Sequence, residues 1–173
     1  MSSKLRSNLV LFGLAAVVAT LDQLSKAWIR QTLAPYESAM PIPWLEPYVT
    51  FTHVQNQGAA FGLGQGLGTF FVFTAFLAVV LIVFFFRRLA VESALLRIAL
   101  GLQLAGAVGN LIDRLRLGAV TDFVNLRWFP VFNVADAAIT IGSILLAIFA
   151  LFVDRPPDQA SAQADSTSPA SQD

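Results

Sequence analysis

Apolar residues in this chain gather into four long runs, separated by stretches where polar, aromatic and β-branched residues mix. The first begins near Asn8, runs uncharged through Leu21, and must continue to about Trp28 or Ile29 to cross roughly 30 Å of hydrocarbon. That continuation contains Asp22, Gln23 and Lys26. The second, Gly66 to Phe86, carries no charge and stops at Arg87 and Arg88. The third lies between Ser93 and Ile112, with Arg97 near one end and Gln103 and Asn110 inside. The fourth, Ala135 to Val153, is nineteen residues, or about 28 Å as a helix. A spanning helix needs about 20 residues, so the pattern predicts four transmembrane helices.

The segments between the runs have a pattern of their own. Tyr48 to Val54 and Thr121 to Trp128 are rich in β-branched and aromatic residues with partial alternation, which predicts strands. Both fall on one side of the four spans, so a small sheet is expected there. Trp28, Trp44, Tyr48 and Trp128 share that zone, as an interfacial aromatic belt would. Gly58 to Gly68 carries five glycines and predicts a mobile loop. The tail from Asp154 is rich in Pro, Ser, Ala, Gln and Asp, a composition that predicts disorder and no catalytic role. Residues 1–153 therefore form one membrane domain and 154–173 a disordered tail.

Composition narrows the class. Hydrophobic residues make up 56% of the chain and charged residues 13%, about half the charged share of a soluble domain. Formal net charge is zero, which offers no electrostatic case for nucleic acid. The absence of cysteine removes disulfides, thiolate nucleophiles and zinc–thiolate sites, and the single His53 cannot form a histidine cluster. Lys4, Arg6 and the first apolar stretch imitate a signal peptide. That stretch leads into Asp22-Gln23-Leu24-Ser25-Lys26, not a small-residue cleavage site, so an uncleaved first span is expected. The flanking basic pairs Lys4/Arg6 and Arg87/Arg88 place both termini in the cytoplasm, on the side that holds six basic residues to the other's five, a weak bias by itself.

Polar residues at the ends of the spans carry the candidate chemistry. Asp122 and Asp136 lie fourteen residues apart, and Asp136 stands at the start of the fourth span. A carboxylate there is costly unless something uses or satisfies it. In the plain structural reading Asn133 or Asp136 caps the fourth helix, where negative charge is favoured by about 0.3–1 kcal/mol, and Asp122 decorates a strand. In the chemical reading the two carboxyls meet, share one proton, and work as base and acid on a water and an amide carbonyl. Asp22 and Lys26, at i and i+4, share a helix face. They are either a self-neutralised structural pair, the reading we favour, or a proton relay. Asn56 precedes Gln57-Gly58 and is either a turn residue or an amide facing substrate. Asn110 and Arg114, also at i and i+4, share one face and can both reach an outer cavity, with Asp113 serving structure; in the plain reading Asp113-Arg114 merely ends the helix at the interface. A small channel or transporter using Asp22, Lys26, Asp113 and Asp136, or a non-enzymatic scaffold, would explain parts of this pattern. Neither explains two carboxylates gathered at the outer end.

Five blocks together resemble the bacterial lipoprotein signal peptidases. They are Asp22-Gln-Leu-Ser-Lys26, Asn56-Gln-Gly-Ala-Ala-Phe61, Gly109-Asn-Leu-Ile-Asp-Arg114, Thr121-Asp-Phe123 and Phe132-Asn-Val-Ala-Asp136. The resemblance covers residues 8 to 153, in family order; Gln57 replaces a commoner Thr. It implies an α-helical inner-membrane protein of four transmembrane helices with a small periplasmic β-cradle. The implied activity is aspartic endopeptidase cleavage before the diacylglyceryl-modified cysteine of a prolipoprotein. It puts the catalytic dyad on Asp122 and Asp136, supporting positions on Asn56, Asn110, Arg114 and Asn133, and a polar pair on Asp22 and Lys26. It implies no metal or organic cofactor, contact with membrane lipids, and inhibition by globomycin-type compounds. Nothing in the sequence demands a partner subunit, so a monomer is expected.

Overall fold

Each apolar run folds as a helix long and apolar enough to cross a bilayer. The computed structural model describes residues 3–58, 67–88 and 93–153. Its helices are α1 (Ser3–Thr32), α2 (Gly68–Arg88), α3 (Ala94–Leu117) and α4 (Val134–Ile148), the last continued by a π-helical turn, Phe149–Val153. The strands are β1 (Ser38–Ala39), β2 (Thr50–Asn56) and β3 (Val120–Asn125), in one antiparallel sheet of order β1-β2-β3.

Lipid as solvent explains the side-chain distribution. Leu21 and Leu24 on α1, Phe73 and Val80 on α2, and Ile144 on α4 are exposed, while Asp22, Lys26 and Asp113 are buried. The helices approach closely because small residues line their seams. A Cβ at Gly106 of α3 would fall on the Ala135 carbonyl oxygen and on Ile139 of α4. One at Gly142 of α4 would stand 2.9 Å from the Ala99 carbonyl oxygen. Between α1 and α3 the core is Leu11, Ala15, Leu104 and Ala105, with Phe86 of α2 joining it.

The sheet covers one end of the bundle. It follows α1 and returns between α3 and α4, so the carboxy ends of α1 and α3 and the amino end of α4 share that side. Phe123 packs with Ile29 of α1 and with Leu33 just beyond its end, joined by Phe51 and Val134. His53 Nδ1 lies 2.9 Å from the Leu33 carbonyl oxygen, which fastens β2 to the end of α1. β2 pairs with β3 in a register that sets Val54 opposite Asp122, with an irregularity between Phe51 and Val54. That register shift re-aims the strand as it enters the site.

Element boundaries differ in places from those the sequence pattern predicts. The apolar run predicts an end near Ile112, but α3 continues to Leu117, with Asp113 turned inward and buried. It ends at Gly118, whose φ of 74° lets its N–H reach the Arg114 carbonyl. β2 begins and ends two residues later than the expected Tyr48–Val54. β3 stops at Asn125 and does not reach Trp128: the Asn125 side chain accepts the Arg127 N–H at 2.8 Å, and Arg127 takes a φ of 66°. The two-residue β1 carried too short a pattern to be read. The glycine-rich loop, except for Gly58, Leu67 and Gly68, and the tail from Asp154 lie outside the described residues.

Candidate active site

The site is built on a buried ionic cluster between α1 and α3. Lys26 Nζ lies 2.8 Å from Asp22 Oδ2 and 3.3 Å from Asp113 Oδ2, and all three side chains are at most 1% exposed. A third donation, 2.9 Å to Asn110 Oδ1, uses the last ammonium proton. Asp113 also accepts the Thr121 backbone N–H at 3.0 Å, which ties α3 to the start of β3. These bonds satisfy charges that would otherwise be prohibitive in an apolar bundle. The i, i+4 pair expected from sequence therefore has a third, carboxylate partner, 87 residues along the chain from Lys26.

The amino end of α4 arrives next to this cluster. Asn133 is the N-cap and Asp136 the third helical residue, and each side chain accepts the other's backbone N–H. The Asp136 N–H donates to Asn133 Oδ1 at 2.9 Å, and the Asn133 N–H to Asp136 Oδ2 at 3.2 Å. Between them, the Ala135 N–H donates to Asp22 Oδ1 at 2.9 Å. Gly109 makes room for this: a Cβ there would stand 2.6 Å from Asp22 Oδ2.

Asp122 comes in from β3 and is 2% exposed. Its Oδ1 accepts Asn133 Nδ2 at 2.6 Å and its Oδ2 accepts Asn56 Nδ2 at 2.9 Å. Burial, with the Asp136 carboxylate next in importance, pushes its carboxyl up to about 6. The two amides and the Lys26 charge oppose that rise and do not cancel it. Asp136 is half-buried, and its Oδ1 accepts Asn110 Nδ2 at 2.8 Å.

Asp122 and Asp136 line one cavity of about 810 Å³, together with Asn56, Asn110 and Arg114. Its remaining wall is largely apolar, with Phe129, Phe132, Ile139 and Ile141 among the lining residues. Ile141 of α4 is also exposed, as are the lining residues Tyr36 and Trp128. Arg114 donates to the Gly58 carbonyl at 3.2 Å and stacks over Phe71 at 5.5 Å. Asn133 does not line the cavity and reaches it only through the carboxylates and Asn110.

Sequence reasoning missed Gln23, Arg30 and Thr121. Gln23 Nε2, with two protons, lies 3.0 Å from the Gly109 carbonyl oxygen and 3.2 Å from both Asp22 Oδ2 and Asp113 Oδ1. Arg30 reaches Thr121 Oγ1 at 2.9 Å and Asp113 at 3.8 Å. Arg30 follows Asp22 and Lys26 at spacings of eight and four, the signal that could have put it on their face.

The model for signal peptidase (SPase) II matches residues 14–152. The lipoprotein signal peptidase of Moorella thermoacetica is 47% identical over 133 residues, 77% of this chain and 87% of that protein. That of Acinetobacter baumannii is 41% identical over 156 residues, 86% of each chain. Two solved structures of a bacterial membrane enzyme superpose with TM-scores of 0.75 and 0.72, at 34% and 36% identity. They cover 88% and 87% of this chain and 93% and 94% of their own.

Proposed function

Because the chain belongs to the signal peptidase II family, a family of multi-pass bacterial membrane proteases, we propose that it removes signal peptides from prolipoproteins by aspartic catalysis. Asp122 and Asp136 are the catalytic pair, and the bond cut is the one before a diacylglyceryl-modified cysteine. The observation that carries this reading is two carboxylates facing one cavity, each held by side-chain amides.

Charge balance favours one shared proton. The cluster holds four carboxylates, Asp22, Asp113, Asp122 and Asp136, against three cations, Lys26, Arg30 and Arg114. One added proton makes it neutral, and the raised Asp122 carboxyl is where that proton rests first. Asp136 then takes a proton from water as the water attacks the scissile carbonyl, while Asp122 gives its proton to the carbonyl oxygen. Collapse of the tetrahedral species returns that proton to Asp122. Asp136 passes its proton to the leaving cysteine nitrogen, so the pair ends as it began. Asn56 and Arg114 hold the substrate backbone, and the exposed apolar lining residue Ile141 meets the lipid part of the substrate.

The basic pairs flanking the first two spans support an orientation with cytoplasmic termini and a periplasmic site in the inner membrane. An ion pathway is less well supported, because Asp22, Lys26 and Asp113 are sealed and occupied by one another.

The test is purified protein in detergent with a diacylglyceryl precursor peptide, read as a mass shift. Asp122→Asn and Asp136→Asn should each lower the cleavage rate by at least about a thousandfold while the chain still folds. Undiminished cleavage by either variant would refute the pair.

A further inference from the structure

Three asparagine amides donate hydrogen bonds to the two carboxylates, and an amide can do so only if its oxygen faces the other way. In each case a group that can only donate holds that oxygen. Asn56 Oδ1 accepts the Gly58 N–H at 2.9 Å, two residues along. Asn133 Oδ1 accepts the Asp136 N–H at 2.9 Å, three residues along. Both anchors are local backbone and come with the turn and the cap. Asn110 differs, because its oxygen is held at 2.9 Å by Lys26 Nζ, a side chain 84 residues away on another helix.

We propose that Lys26 is a positioning residue for the reaction: by donating to Asn110 Oδ1 it fixes the Asn110 amide so that Nδ2 points at Asp136. This rests on the reading of Asp122 and Asp136 as the catalytic pair, and it adds to the ion pairing that Lys26 makes with Asp22 and Asp113. An ammonium has no acceptor, so the opposite amide orientation would oppose N–H to N–H at Lys26 and carbonyl to carboxylate at Asp136. The same Asn110 oxygen accepts Asn133 Nδ2 at 3.2 Å, whose other contact is Asp122 at 2.6 Å. One buried lysine thus sets the direction of donation toward Asp136 directly and supports the donor to Asp122 at one remove. A neutral apolar residue at position 26 would leave the Asn110 oxygen held by Asn133 Nδ2 alone, at 3.2 Å, and loosen the aim of its Nδ2 at Asp136. The substrate's own contacts in the cavity would be untouched, since Lys26 does not line it.

A double-mutant cycle separates this role from plain support of the fold. Lys26→Met and Asn110→Leu are each measured for kcat and KM, then combined. Loss of a hydrogen bond to a charged group predicts that each single change lowers kcat about tenfold or more. KM should stay within about twofold, and the double variant should be no slower than the worse single one. Should Lys26→Met fail to fold, the cycle is run in chains also carrying Asp22→Asn, which restores charge balance. Asp122→Asn is assayed beside them. If it is inactive while Lys26→Met keeps its kcat, or while the two losses multiply, the role of Lys26 is overturned alone. If Asp122→Asn cleaves normally, the catalytic pair itself falls and takes this role with it.

Discussion

Asn133 and Asp136 cap one another, each side chain accepting the other's backbone N–H at the start of α4. Capping the helix therefore does not exclude a chemical role for Asp136. A capping box holds the helix end and in the same act fixes one carboxylate oxygen of Asp136. Asn133 then has its Nδ2 free for Asp122, so one amide serves both the helix and the pair.

That double duty can be separated. Serine is as good an N-cap as asparagine but has no second donor to extend toward Asp122. Asn133→Ser should change the melting temperature by only a few degrees, since cap replacements cost about 1 kcal/mol. Its kcat should fall about tenfold or more. Thermal melts and peptide-cleavage kinetics on the same preparation read both effects, and an unimpaired kcat would mean the Asn133–Asp122 bond is incidental.

The pH dependence follows from Asp122. Its carboxyl is raised to about 6, first by burial and then by Asp136, so the proton needed as acid is lost as pH rises through that value. The kcat/KM profile, which reports free enzyme, should have a basic limb near pH 6. Bound substrate dries the site further, and burial is the leading cause of the shift, so the basic limb of kcat should lie at higher pH. Profiles collected from pH 4 to 9 decide this, and identical limbs in both would count against the burial argument.

Asp22→Ala should be among the most destabilising single changes in the bundle. It strips Lys26 of its 2.8 Å partner and leaves the Ala135 N–H unpaired. Breaking a buried ion pair from one side costs about 3–5 kcal/mol. Its melting temperature should fall further than that of Asp122→Asn or Asp136→Asn; equal melting temperatures would remove the structural role from Asp22.

The sequence by itself determined the four helices, because lipid demands about twenty apolar residues in a row and little else in a chain mimics that. It also determined that Asp22 and Lys26 pair, since helix periodicity alone puts i and i+4 together. It singled out the residues now seen to line the cavity, Asn56, Asn110, Arg114, Asp122 and Asp136, by their blocks and their cost in an apolar chain. What it left open needed long-range contact. Nothing local tells that Asp113 turns inward to Lys26, that Ala135 gives its N–H to Asp22, or that Lys26 rather than backbone orients Asn110. Those bonds exist because glycines at 106, 109 and 142 let α3 approach α1 and α4 closely enough for side chains more than eighty residues apart to share protons. Only the packed bundle decides which donor meets which acceptor.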